Sequence, residues 1–164
     1  MAVITPDLLN QFVRAHQSGS AIVACQYANT FGSPALFSRQ YFPDLITDRA
    51  ISFMARNQDR PFFLYYALNL PHYPEQALAR FAQRYASLPE PRRTYAGMVA
   101  AMDEAIGGIL AALDARGLRT NTLIFFSSDN GGPNPGRVTS NGPLRAGKGT
   151  VYEGGTRVCA CVAW

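Results

Sequence analysis

Phe62-Phe63-Leu64-Tyr65-Tyr66-Ala67-Leu68, inside PFFLYYALNLPHYP at 61–74, decides the fold class. This unbroken apolar and aromatic run has strand length and strand composition, and Pro61 before it and Asn69 to Pro74 after it supply turn residues. A strand without a polar face is one covered on both sides, as in a parallel sheet carrying helices on both faces. Downstream, Tyr95, Met98, Val99, Met102, Ile106, Ile109, Leu110 and Leu113 recur at spacings of three and four, the pattern of an amphipathic helix. Gly107-Gly108 inside that pattern each cost about 1 kcal/mol relative to Ala, which points to close packing against a neighbour. Arg116-Gly117 closes the helix with a cation and a C-cap glycine. Thr122-Leu123-Ile124-Phe125-Phe126 reads as a second buried strand and Arg157 to Trp164 as a third. Strand, helix, strand at this rhythm implies βαβ units, so the expected class is α/β, a mostly parallel sheet with helices on both faces.

Upstream, Pro43-Asp44 opens a helix to about Asn57, with Leu45, Ile46, Ile51, Phe53 and Met54 on its apolar side. Thr5-Pro6-Asp7 reads as another helix start, followed by Leu8, Leu9, Phe12 and Val13. His16 then falls on an amphipathic helix as a surface histidine. Residues 19–42 have no clear period and read as loop, with a short strand at Ala21 to Cys25.

With 164 residues, 48% hydrophobic and 16% charged, the composition describes one globular domain over 1–164 and excludes disorder and coiled coil. The net charge of +4 comes from fourteen arginines and a single lysine, Lys148, against the acidic residues. The arginines are scattered, with one adjacent pair at Arg92-Arg93, so no stripe or arm for nucleic acid is expected. Cys25, Cys159 and Cys161 lack C-x-x-C spacing, and the last two alternate in an apolar run, which reads as buried thiols. No apolar run approaches the roughly 18 residues of a membrane span, and Met1 to Asn10 resembles no export signal.

In open parallel sheets chemistry gathers beyond the carboxyl ends of the strands. The first run leads to Asn69-Leu70-Pro71-His72-Tyr73-Pro74, where an imidazole between two prolines is a proton donor, an anion contact or a metal ligand, or a turn histidine facing solvent. The second leads to Ser127-Ser128-Asp129-Asn130-Gly131-Gly132. Asp129 and Asn130 are hard oxygen donors suited to Ca²⁺ or Mg²⁺, in residues that are also good turn formers. Gly142 to Gly149 follows as a glycine-rich loop holding Lys148, without Walker spacing.

Four ordered blocks carry a resemblance: PFFLYYALNLPHYP at 61–74, YAGMVAAMDEAIGGILAALDARGL at 95–118, NTLIFFSSDNGGP at 121–133 and NGPLRAGKGTVYEGGTR at 141–157. Together they resemble the sulfatase family over about residues 40–164. The resemblance implies an alkaline-phosphatase-like α/β fold and hydrolysis of sulfate esters with a divalent metal, usually calcium, and a formylglycine made from Cys or Ser. Carried onto this chain, it makes Asp129 and Asn130 metal ligands, Lys148 a contact to sulfate oxygens, and His72 a sulfate contact that protonates the leaving group. Arg145 and Glu153 lie in matching blocks and are read as structural.

The family's C-x-P-S-R or S-x-P-S-R motif and its acidic pair do not occur in this sequence, and Cys159 stands where the family usually has proline. One carboxylate and one amide are few for the six to eight oxygens calcium takes, so metal held by this chain is expected to be weak and water-rich. Without formylglycine there is no covalent sulfate acceptor. The expectation is therefore a partial sulfatase catalytic domain, inactive alone. An anion-binding module without catalysis, and a piece of a related phosphoryl or phosphonate hydrolase, are the alternatives.

Overall fold

A computed structural model of the chain describes residues 21–24, 42–133 and 138–164. The helix expected from Thr5, His16 and Cys25 lie outside them. The elements are β1 (Ala21–Ala24), α1 (Phe42–Arg56), β2 (Phe62–Tyr65), α2 (Ala79–Ala82), α3 (Arg92–Ala115), β3 (Ile124–Ser127), α4 (Glu153–Thr156) and β4 (Ala160–Ala163). They fall into two compact units, one within Thr5–Arg119 and one at Thr120–Trp164.

In the first unit β1 and β2 pair in parallel, Ala21 opposite Phe62 and Ala24 opposite Tyr65. Helix α1 begins at the Pro43-Asp44 signal and runs a residue short of Asn57. It docks on β2 through an edge-to-face contact of Phe53 with Phe62, ring centroids 5.7 Å apart. Thr47, buried on α1, donates its hydroxyl proton to the Pro43 carbonyl at 2.5 Å. A threonine hydroxyl has one proton, so the Tyr66 hydroxyl, 2.6 Å away, is the donor in their contact. Asn57 ends the helix: its Nδ2 donates to the Phe53 carbonyl, and its Oδ1 accepts from Arg60 Nε and Nη2 at 2.9 and 2.6 Å.

Helix α3, the longest of the described elements, forms over the periodic stretch, burying Met98 and Leu113 of the expected side together with Ala101, Ala105 and Ala112, while Tyr95, Val99, Met102, Ile106, Ile109 and Leu110 are half-buried. It packs on α1 and α2. Its end is built as expected: Gly117 has φ +66°, its N–H reaches the Asp114 carbonyl and that of Leu118 reaches Leu113, both at 3.0 Å. By length and composition alone α3 is apolar enough to cross a membrane. A core helix carries the same signature, and α3 both buries Met98 and Ala101 and carries Glu104, which pairs with Arg80 and Arg84. Phe81, 2% exposed, sits beneath both of those guanidinium groups, at 4.0 and 5.2 Å from its ring centroid.

The close approach expected at Gly107-Gly108 lies elsewhere. Gly107 has nothing within 4 Å of where a Cβ would stand, and at Gly108 only the Thr47 methyl comes near, at 3.4 Å. The tight point is Gly97, where a Cβ would lie 3.0 Å from the Ala82 backbone nitrogen. Gly97 is what lets α2 lie close to α3.

In the second unit β3 and β4 pair, but antiparallel, Ile124 opposite Ala163 and Ser127 opposite Ala160. Of the expected mostly parallel sheet the described strands show one parallel pair, β1 with β2, and the antiparallel β3–β4 pair departs from it. The cause lies in the connection. Ser128 N–H donates to Cys159 O and Gly131 N–H to Gly155 O, both at 3.1 Å, so the chain returns beside the point where it left β3 and must enter β4 running the other way.

Covering on both faces is not seen either. Along β2 and β3 exposure alternates, with Phe63, Tyr65 and Phe125 outward, and β4 is exposed throughout. Cys159 and Cys161 are accordingly free and exposed rather than buried, because β4 pairs with β3 along one edge only among the described residues.

Candidate functional site

The site residues divide between the units. His72 belongs to the first, in the turn after β2, where its N–H donates to the Asn69 carbonyl at 3.2 Å. The ring is exposed, stacks on Tyr73 with centroids 4.6 Å apart, and has Nδ1 2.8 Å from the Tyr73 carbonyl oxygen. A carbonyl only accepts, so Nδ1 carries the proton of that contact. In the neutral ring Nε2 accepts; it donates only in the imidazolium.

Asp129, Asn130 and Lys148 share the second unit. The turn at 128–132 leaves the end of β3, with Ser128 Oγ donating to the Asn130 carbonyl at 2.9 Å. Asn130 Nδ2 donates to the Gly131 carbonyl at 3.0 Å, leaving Oδ1 as its acceptor. Asp129 is exposed, and among the described residues its carboxylate takes part in no ion pair. Two hard oxygens side by side fit Ca²⁺ or Mg²⁺ in kind. Among the described residues no three His, Cys, Asp or Glu side chains gather, so further coordination places would go to water or other ligands.

The lysine loop is fastened to this turn by backbone. Lys148 N–H donates to Gly132 O at 2.9 Å, Gly131 N–H to Gly155 O at 3.1 Å, and Gly154 N–H to Arg145 O at 2.8 Å. The glycines make room for it: a Cβ on Gly131 would lie 1.8 Å from Gly154 O, and one on Gly154 would lie 2.1 Å from Ala146 O. The loop turns through Ala146 at φ +61° and Gly149 at φ +84°, and Lys148 is exposed between them. Arg145 stacks its guanidinium 3.8 Å over the Tyr152 ring, and Glu153 pairs with Arg157 at 3.8 Å, both in keeping with a structural reading.

Sequence reasoning passed over Asn141. Its Oδ1 accepts from Gly132 N–H at 2.9 Å, while Nδ2 donates to Gly132 O at 2.9 Å and Ala146 O at 3.0 Å. The available signal was an amide side chain just ahead of Gly142-Pro143, which spacing alone does not separate from an ordinary turn residue.

The Sulfatase family model matches residues 9–164, and the chain belongs to the sulfatase family. It is 41% identical to human (Homo sapiens) arylsulfatase A over 113 residues, which are 67% of this chain and 21% of that protein. It is 40% identical to mouse (Mus musculus) arylsulfatase J over 124 residues, 74% of this chain and 21% of that protein. The crystal structure of Ps i-CgsB superposes with a TM-score of 0.71 at 41% identity, over 76% of this chain and 28% of that one. The fold is thus that of sulfatases, alkaline-phosphatase-like, and the chain spans about a fifth of the length of these arylsulfatases. The family acts on sulfate esters and generally uses a metal ion.

Proposed function

We propose that residues 1–164 form part of a sulfatase catalytic domain, in which Asp129 and Asn130 hold a divalent cation, Lys148 binds sulfate oxygens and His72 contacts the sulfate or leaving group. The observation that carries this reading is the bond from Lys148 N–H to Gly132 O at 2.9 Å, which fastens the lysine loop to the turn bearing the oxygen donors. A bound cation would withdraw charge from the sulfuryl oxygens. Lys148 sets a compact ammonium where those oxygens gather negative charge in the transition state. His72 keeps Nδ1 on the Tyr73 carbonyl, and as imidazolium its ring can give a proton to a departing alkoxide or phenoxide.

No C-x-P-S-R or S-x-P-S-R stands in these 164 residues, so this stretch by itself completes no covalent sulfate transfer. With an aryl sulfate and Ca²⁺, the 164-residue chain is expected to show no turnover above a Lys148→Ala control. Clear turnover would defeat that part of the reading. The binding roles are tested by amide NMR: Ca²⁺ should shift Asn130 and Gly131, and sulfate should shift Lys148 and Gly149. Shifts that persist in Asp129→Asn and Lys148→Ala would remove the assignments.

A further inference from the structure

We infer that Asn141 is a positioning residue that locks the turn bearing Asp129 and Asn130 to the loop bearing Lys148, so that cation binding on one strengthens anion binding on the other. This inference rests on the roles proposed above for those three residues.

The geometry is a closed pairing. Asn141 Oδ1 takes the N–H of Gly132, and Nδ2 gives to the carbonyl of the same residue, both at 2.9 Å. One primary amide thus satisfies both backbone groups of Gly132, as a neighbouring strand would. The same Nδ2 donates to Ala146 O at 3.0 Å, two residues before Lys148 and at the positive-φ position where the loop reverses. Gly132 O meanwhile accepts from Lys148 N–H at 2.9 Å, so the side chain and the lysine backbone converge on one oxygen.

Three contacts need a group that donates twice and accepts once in one plane, which among short side chains only Asn provides. Asp would keep the acceptor, lose both donors, and set a negative charge against two carbonyl oxygens. Gly132 is closely packed on this side, where a Cβ would lie 2.4 Å from Thr139 Oγ1. Movement of the turn on binding a cation is therefore passed to the lysine loop through Asn141 rather than absorbed between them.

Amide and side-chain NMR of the 164-residue chain, titrated with sodium sulfate with and without saturating Ca²⁺, tests this. In the wild type, Ca²⁺ should tighten sulfate binding by about fivefold or more, the low end of ordinary coupling between sites. The Asn141 carboxamide resonances should move on adding either ion. In Asn141→Asp the effect of Ca²⁺ on sulfate affinity should fall below about twofold, while separate binding of each ion persists. Coupling equal to the wild type in that variant overturns the inference and leaves the site assignments standing. Loss of the β3–β4 amide pattern in Asn141→Asp moves the decision to the wild-type carboxamide, whose indifference to both ions would also overturn it. Wild-type binding that ignores Asp129→Asn and Lys148→Ala brings down the site assignments and this inference together.

Discussion

The backbone N–H of Lys148 donates to the carbonyl of Gly132 at 2.9 Å, which ties the chain's one lysine to the turn that follows β3. The residues joined are sixteen apart, and β4 runs antiparallel beside β3. The antiparallel pairing and the candidate site thus have a common cause in one set of loop hydrogen bonds. It follows that changes which loosen this loop should damage the β3–β4 pair as well as any binding.

Gly154 and Gly149 separate two reasons for glycine in that loop. An alanine methyl at 154 would meet Ala146 O at 2.1 Å and Arg145 O at 2.5 Å, whereas at 149 it would meet nothing within 4 Å but would sit at φ +84°. Gly149→Ala should cost about 1–2 kcal/mol, the ordinary penalty for a left-handed conformation. Gly154→Ala should cost about 3 kcal/mol or more, because backbone rather than a side-chain tip must yield. Urea midpoints followed by the β3–β4 amide signals check the order, and equal losses would contradict it.

Gly107 and Gly97 make the same contrast on α3 with the opposite sign. Nothing crowds Gly107, so Gly107→Ala should raise stability by about 0.5–1 kcal/mol through helix propensity alone. Gly97→Ala should lower it by about 1–3 kcal/mol, since the new methyl presses on the Ala82 backbone. Thermal or urea unfolding of the two variants reads the difference directly, and a stabilised Gly97→Ala would mean that α2 and α3 are not in close contact.

Cys159 and Cys161 are exposed on and beside β4, so a thiol reagent should find them without denaturant. In a Cys25→Ser variant, two thiols per chain should react under native conditions with no slow second phase. Reaction only after unfolding would show that β4 is covered in solution.

How much was legible from sequence depended on whether a feature was periodic. Helix α3 was readable because Met98 through Leu113 repeat at helical spacing and Gly117 has a C-cap signature, both local in the chain. The strands were found but not their direction or covering. An apolar run such as Phe62 to Tyr65 registers hydrophobicity, whereas direction is set by where the connecting loop returns. Asn141 was missed for the same reason: its three contacts reach nine residues back and five forward, with no repeat to betray them. Gly97 and Gly107 look alike in sequence, and only the position of Ala82 tells them apart.

Glu90 gives α3 its start and should make the first unit acid-sensitive. Pro91 stands at the N-cap and has no side chain to serve the free amides. Glu90 does so instead: its Oε2 accepts from Thr94 Oγ1 at 2.8 Å and Thr94 N–H at 3.3 Å, and its Oε1 accepts from Arg93 Nε at 2.9 Å. The Thr94 hydroxyl chiefly, then the Thr94 amide and Arg93, hold the carboxyl below its ordinary 4.5, against a smaller opposing effect of desolvation. A carboxyl whose folded value is depressed contributes stability that is present above the unfolded value and is lost as the pH falls through the folded one. Urea midpoints of the wild type should therefore drop below about pH 4.5 relative to those at pH 7. In Glu90→Gln part of that drop should vanish, with the midpoint already lower at pH 7. An acid profile identical in the two proteins would show that Glu90 does not cap α3.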